Sequence, residues 1–155
     1  MRADVPLPTR YDHNIPMFDT QGNITARVRD GLENVLSVYT QCAQLQARET
    51  DNNPSNYQIK HVYIVGSGAR TNKVDSDMDL LFRVPALDKT SYKTLKVMLA
   101  VIFYTDRPKE EAIDVFFEKE EDYPDKEKTE ITDQVEELLK KCNQILTGKN
   151  HTKNL

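Results

Sequence analysis

Asp77, ten residues after Ser67, and Asp79 stand two apart in Asp75-Ser76-Asp77-Met78-Asp79-Leu80-Leu81. A third aspartate, Asp114, interrupts the apolar run Ala112-Ile113-Asp114-Val115-Phe116-Phe117. Residues at i and i+2 of a strand point to the same face. A strand over 78–84 therefore turns Asp77 and Asp79 toward one cavity. Like charges gathered in a cavity are costly unless compensated. Oxygen-only donors suit Mg²⁺ or Mn²⁺ as the compensating ion. If the strand bearing Asp114 neighbours the strand bearing the pair, three carboxylates can hold two ions roughly 3.5–4 Å apart, as in-line phosphoryl displacement requires. The plainer alternatives are a surface turn for Asp-Ser-Asp and an edge-strand polar residue for Asp114.

Upstream, the run Tyr63-Ile64-Val65 ends at Gly66-Ser67-Gly68-Ala69-Arg70. A strand closing on glycine can turn sharply, because glycine tolerates backbone angles other residues avoid. The helical turn expected over 67–73 presents free N–H groups to an anion. Ser67 adds a hydroxyl, and Gly68 leaves room for a phosphate. Arg70 and Lys73 flank the turn and could touch phosphates, or could be solvated charges. Taken alone, Gly-Ser is an ordinary strand–turn–helix junction.

These groups need elements to position them. Val28, Leu32, Val35, Tyr39 and Cys42 recur at helical spacing and predict a helix over 24–47. A β-branched run predicts a strand over 59–65. Asp88 caps a helix reaching about Tyr104, with Tyr92, Leu95 and Leu99 on one face. A third strand covers 111–117, and a charged loop covers 118–128. Ile131, Val135, Leu138, Leu139, Cys142 and Leu146 predict a helix over 129–147, stopped by Gly148. The expected fold is α/β (α+β), a small mixed sheet covered by helices, although pattern alone leaves a wholly parallel sheet open. Residues 1–22 read as an extended arm or strap, 23–148 as the domain and 149–155 as a polar tail.

The chain has 155 residues, enough for one domain with its own core. A net charge of −4 argues against gripping nucleic acid by overall charge. The acid is uneven, because Asp106 to Lys140 holds fourteen acidic and six basic residues. Arg83, Lys89, Lys93 and Lys96 form a loose basic group that could meet an RNA or protein acceptor, or simply face solvent. Cys42 and Cys142 both fall on apolar stripes, which predicts buried thiols. No stretch of 18 apolar residues suggests a membrane span, and no apolar leader stands at the N-terminus. The expectation is an intracellular, cytoplasmic protein.

Taken together, the turn, the Asp-x-Asp pair and the later aspartate resemble the DNA polymerase β-like nucleotidyltransferase superfamily. The stretch from Gly66 to Arg70 and from Ser76 to Leu80 is most similar to the minimal nucleotidyltransferases. The resemblance covers about residues 59–117. Thr71 stands where minimal members usually have glycine, and the linker from Arg70 to Ser76 is slightly short. The resemblance implies transfer of NMP from an NTP, with ATP the first expectation, to a hydroxyl on protein or RNA, releasing pyrophosphate. It implies that Asp77, Asp79 and Asp114 bind two Mg²⁺ or Mn²⁺ ions and that Gly66, Ser67, Gly68, Arg70 and Lys73 hold the nucleotide. Relatives with the same motifs usually carry a second helical domain, so a partner subunit could complete the site. A signalling-nucleotide synthase or terminal transferase core, and a catalytically silent scaffold subunit, are the alternatives.

Overall fold

The computed structural model describes residues 15–66, 69, 77–101, 113–118 and 123–148. Its elements are α1 (Ala26–Glu49), β1 (His61–Val65), β2 (Met78–Arg83), α2 (Lys89–Ala100), β3 (Ile113–Phe117), β4 (Lys128–Glu130) and α3 (Glu136–Thr147). The sheet has four strands in the order β3-β2-β1-β4. It is mixed: β1 runs antiparallel to β2 and β4, and β2 runs parallel to β3. The coarse expectation of a small mixed sheet with helices packed on it describes this arrangement.

Strand alternation divides the sheet into two faces. Val62, Ile64, Leu80, Phe82, Val115 and Phe117 join the buried core formed with α1, α2 and α3. Tyr63, Val65 and Leu81 form a second buried cluster on the opposite face, with Phe116 and Tyr123 packed on it. On the helix side, Tyr39 of α1 meets the edge of the Phe82 ring at 5.7 Å, and Tyr92 of α2 stacks on Phe117 at 6.1 Å. Tyr92 is thus a core residue, as its helical spacing suggests. Cys42 and Cys142 are both free and buried. Burial raises the Cys42 thiol above its usual range and pushes Cys142 up to about 12, so neither is a ready nucleophile.

Polar ties join these layers. The Tyr39 hydroxyl donates to the Tyr57 carbonyl at 2.7 Å, and the Tyr57 hydroxyl donates to Gln46 Oε1 at 2.7 Å. The Gln46 side-chain amide then donates to the Ser91 carbonyl at 3.2 Å, which fixes α1 to α2. Residues 15–25 strap the start of α1. Met17 is buried, and the Thr25 hydroxyl donates to the Pro16 carbonyl at 2.6 Å.

The region 118–147 departs from expectation. A helix over 129–147 gives way to strand β4, a 3₁₀ turn at Thr132–Val135 and the shorter helix α3. The cause is the free edge of β1, which pairs with Lys128–Glu130. Ile131 N–H continues this pairing by donating to the Val62 carbonyl at 2.9 Å, and Val62 N–H donates to the Thr132 hydroxyl at 3.0 Å. Ile131 and Val135 are still buried, so their apolar spacing reports burial correctly but not helix. Of the turn expected over 67–73, only Ala69 is described.

Asn143 clamps α3 to the entry of β1, because its side chain accepts from Ile59 N–H and donates to the Ile59 carbonyl, each at 3.0 Å. Asn143→Ala leaves both backbone groups without that partner and should cost about 2 kcal/mol of stability. Urea unfolding checks it, and an unchanged midpoint and slope would count against the clamp.

Candidate metal and nucleotide site

Parallel pairing of β2 with β3 aligns Asp79 directly with Asp114. Both stand on the sheet face away from the helices, since their neighbours Leu80 and Val115 point into the helix-side core. Asp77 is exposed, just before β2. At the same end β1 finishes in Gly66, with φ of +76°. A β-carbon built there would lie 3.0 Å from Asp79 Oδ2, so the backbone of the turn rests against this carboxylate. Both the positive φ and the close approach call for glycine. The turn is anchored from Gly66, whose N–H donates to the Glu127 carbonyl at 3.0 Å and whose carbonyl accepts from Ala69 N–H at 3.2 Å.

The structure therefore brings together Gly66, Asp79 and Asp114, with Asp77 close enough to act on Asp79 electrostatically. Ser67, Gly68, Arg70 and Lys73 lie outside the described residues. Asp79 is pushed up to about 7, first by burial and then by the charges of Asp114 and Asp77, with Lys96 opposing. Among the described residues, no three His, Cys, Asp or Glu side chains are gathered tightly enough to hold a metal ion. The donor set nonetheless fits a hard divalent cation: oxygen ligands only, two of them in register, with negative charge in excess at a partly buried position.

Lys96 is the group whose place the sequence concealed. Its ammonium lies 3.7 Å from Asp114 Oδ1 and 4.2 Å from the centre of the Phe116 ring. The other members of the loose basic group go elsewhere. Arg83 forms a two-pronged pair with Glu118 at 2.7 and 2.6 Å toward the opposite end of β2, and Lys89 and Lys93 are exposed. The signal that could have singled out Lys96 is its place beside Leu95 on a crossover helix, one turn after Tyr92. Tyr104 lies outside the described residues.

A groove of about 540 Å³ between α1 and α3, lined by Leu36, Thr40, Leu138 and Cys142 among others, lies on the helix side, away from the carboxylates. No helix among the described residues is long and apolar enough to cross a membrane. Comparison of the chain with protein-family models, with curated proteins and with solved structures finds no match.

The raised Asp79 makes a pH prediction. A carboxyl whose folded pKa exceeds its ordinary 3.8 keeps its proton in the folded state while the unfolded chain has lost its own. Stability then falls as pH rises from about 4 to about 7 and stays low above that. Asp79→Asn removes the charge, so in EDTA it should raise stability at pH 8 by about 2 kcal/mol, allowing for solvent screening of a partly exposed group. The difference should vanish near pH 4. Urea titrations across that range check it, and a gain of equal size at both ends would show that charge is not the cause.

Proposed function

We propose that this chain is a metal-dependent nucleotidyltransferase, which moves a nucleoside monophosphate from an NTP to a hydroxyl on a protein or RNA acceptor with pyrophosphate leaving. The observation that carries this reading is the in-register pair Asp79–Asp114 on the sheet face opposite α1, α2 and α3, with Gly66 seated against Asp79. The resemblance of these motifs to the polymerase β-like nucleotidyltransferases supports it.

In this reading Asp77, Asp79 and Asp114 would hold two Mg²⁺ or Mn²⁺ ions, which when bound would supply orientation of the attacking hydroxyl and charge stabilisation for the triphosphate and the leaving pyrophosphate. In this reading Asp114 also helps to deprotonate the acceptor hydroxyl. The backbone from Gly66 to Ala69, with Ser67, Arg70 and Lys73, cradles the phosphates. Asp77 is exposed, where an acceptor or a partner subunit that supplies the base pocket could reach it. ATP is the first donor to try.

The test is incubation with each α-labelled NTP and Mg²⁺ or Mn²⁺, with and without total RNA, beside Asp79→Asn. Label on protein, on RNA or in a new small nucleotide establishes transfer and names the acceptor class, the last being a signalling synthase. Asp79→Asn should lower transfer at least about a thousandfold while the far-ultraviolet dichroism is unchanged. Absence of transfer together with absence of NTP and metal binding would overturn the reading and leave a silent scaffold.

A second variant tests the seat of the turn. Gly66→Ala forces a side chain into positive φ and against Asp79, and should cost about 1–2 kcal/mol in stability. It should also reduce transfer more than about tenfold by shifting the carboxylate. Wild-type transfer by this variant would separate the turn from the chemistry.

A further inference from the structure

We propose that Lys96 is the resident counter-ion of the carboxylate end, competing with a free divalent cation at Asp114 until the triphosphate of an incoming nucleotide draws its ammonium away. This rests on the nucleotidyltransferase reading and adds an order of binding to it: the cation enters well only with the nucleotide.

Three observations support this. First, the ammonium is 3.7 Å from Asp114 Oδ1, on the oxygen set that the reading assigns to metal. An ammonium and a divalent ion sharing one carboxylate repel each other, so the two compete for Asp114. Second, Lys96 comes from the crossover helix α2, which packs in the core through Tyr92, Leu95 and Leu99. Its stem must therefore pass around the edge strand β3 to reach the face that carries Asp114 and Phe116. The ammonium settles 4.2 Å over the Phe116 ring, a second site of attraction that keeps it close once Asp114 is taken. Third, the pair is only partly exposed, with 26% of the Lys96 side chain and 31% of the Asp114 side chain accessible, which leaves the charges less screened than on an open surface. A triphosphate carries several negative charges. Arriving with its own ion, it offers the ammonium a better partner than Asp114 and lets the carboxylate turn to the metal.

The experiment is Mn²⁺ binding to the full chain without nucleotide, read by the electron paramagnetic resonance of free Mn²⁺, then repeated with a non-hydrolysable ATP analogue. Lys96→Met should bind Mn²⁺ about tenfold more tightly than the wild type, and Lys96→Arg, which keeps the charge, should stay within about twofold. The analogue should improve Mn²⁺ binding more for the wild type than for Lys96→Met. Lys96→Gln carries the same test if the Met variant does not fold. A Lys96→Met protein that binds Mn²⁺ no more tightly than wild type, or an Arg variant as tight as the Met variant, would overturn the counter-ion role. Asp79→Asn keeps the two failures apart. If it abolishes Mn²⁺ binding and Lys96→Met changes nothing, the inference falls and the site stands. If no form binds Mn²⁺ with or without the analogue, both fall.

Discussion

The constraint on which the rest of the structure depends is the parallel register of β2 against β3. Shifting either strand by one residue would turn Asp79 or Asp114 into the helix-side core. The observed register instead places them side by side on the other face. Like charges directly opposite one another weaken a sheet. The register survives because the same pairing aligns Met78, Leu80 and Phe82 with Ile113, Val115 and Phe117 on the helix side, and all six are buried. The apolar side of the strands thus determines where the charged side must be.

A division of labour follows. The face under α1, α2 and α3 contributes stability through aromatic packing and the chain of hydrogen bonds from Tyr39 through Tyr57 and Gln46 to Ser91. The other face carries groups that fit poorly in a folded protein, two adjoining carboxylates, with Gly66 seated against one of them. Such groups persist only where the surroundings over-determine them. Here the surroundings are the sheet on one side and Glu127, which fixes the Gly66 N–H, on the other. Because Glu127 immediately precedes β4, the short edge strand also helps to hold the turn in place.

Much of this could be read from residue order. Helix α1, strands β1 to β3 and helix α2 follow from apolar spacing, and Asp88 caps α2 as expected, accepting from Ser91 N–H. The sharing of one face by Asp79 and the strand partner Asp114 depended on which strands are neighbours, which periodicity does not state. Strand β4 was illegible because Lys128-Thr129-Glu130 has no apolar alternation, and its conformation comes from the unpaired edge of β1. Lys96 was hidden among other lysines for a similar reason: its significance lies in β3, which is distant in sequence.

The same long-range origin explains why Asp114, rather than the adjacent pair alone, gives the site its character. Asp77 and Asp79 are two residues apart, and one is exposed, so the pair could relax into solvent. Asp114 cannot separate from Asp79 without breaking the β2–β3 ladder, because the backbones and not the side chains set their spacing. The repulsion is therefore built into the fold. With burial as the larger cause, it adds to the raised proton affinity of Asp79, and it is accompanied by an ammonium drawn from outside the sheet. A hard cation would satisfy both oxygen sets at once, which a single ammonium against one carboxylate does not. Among the described residues, Lys96 alone is seen to offset this charge, and it stands against one carboxylate.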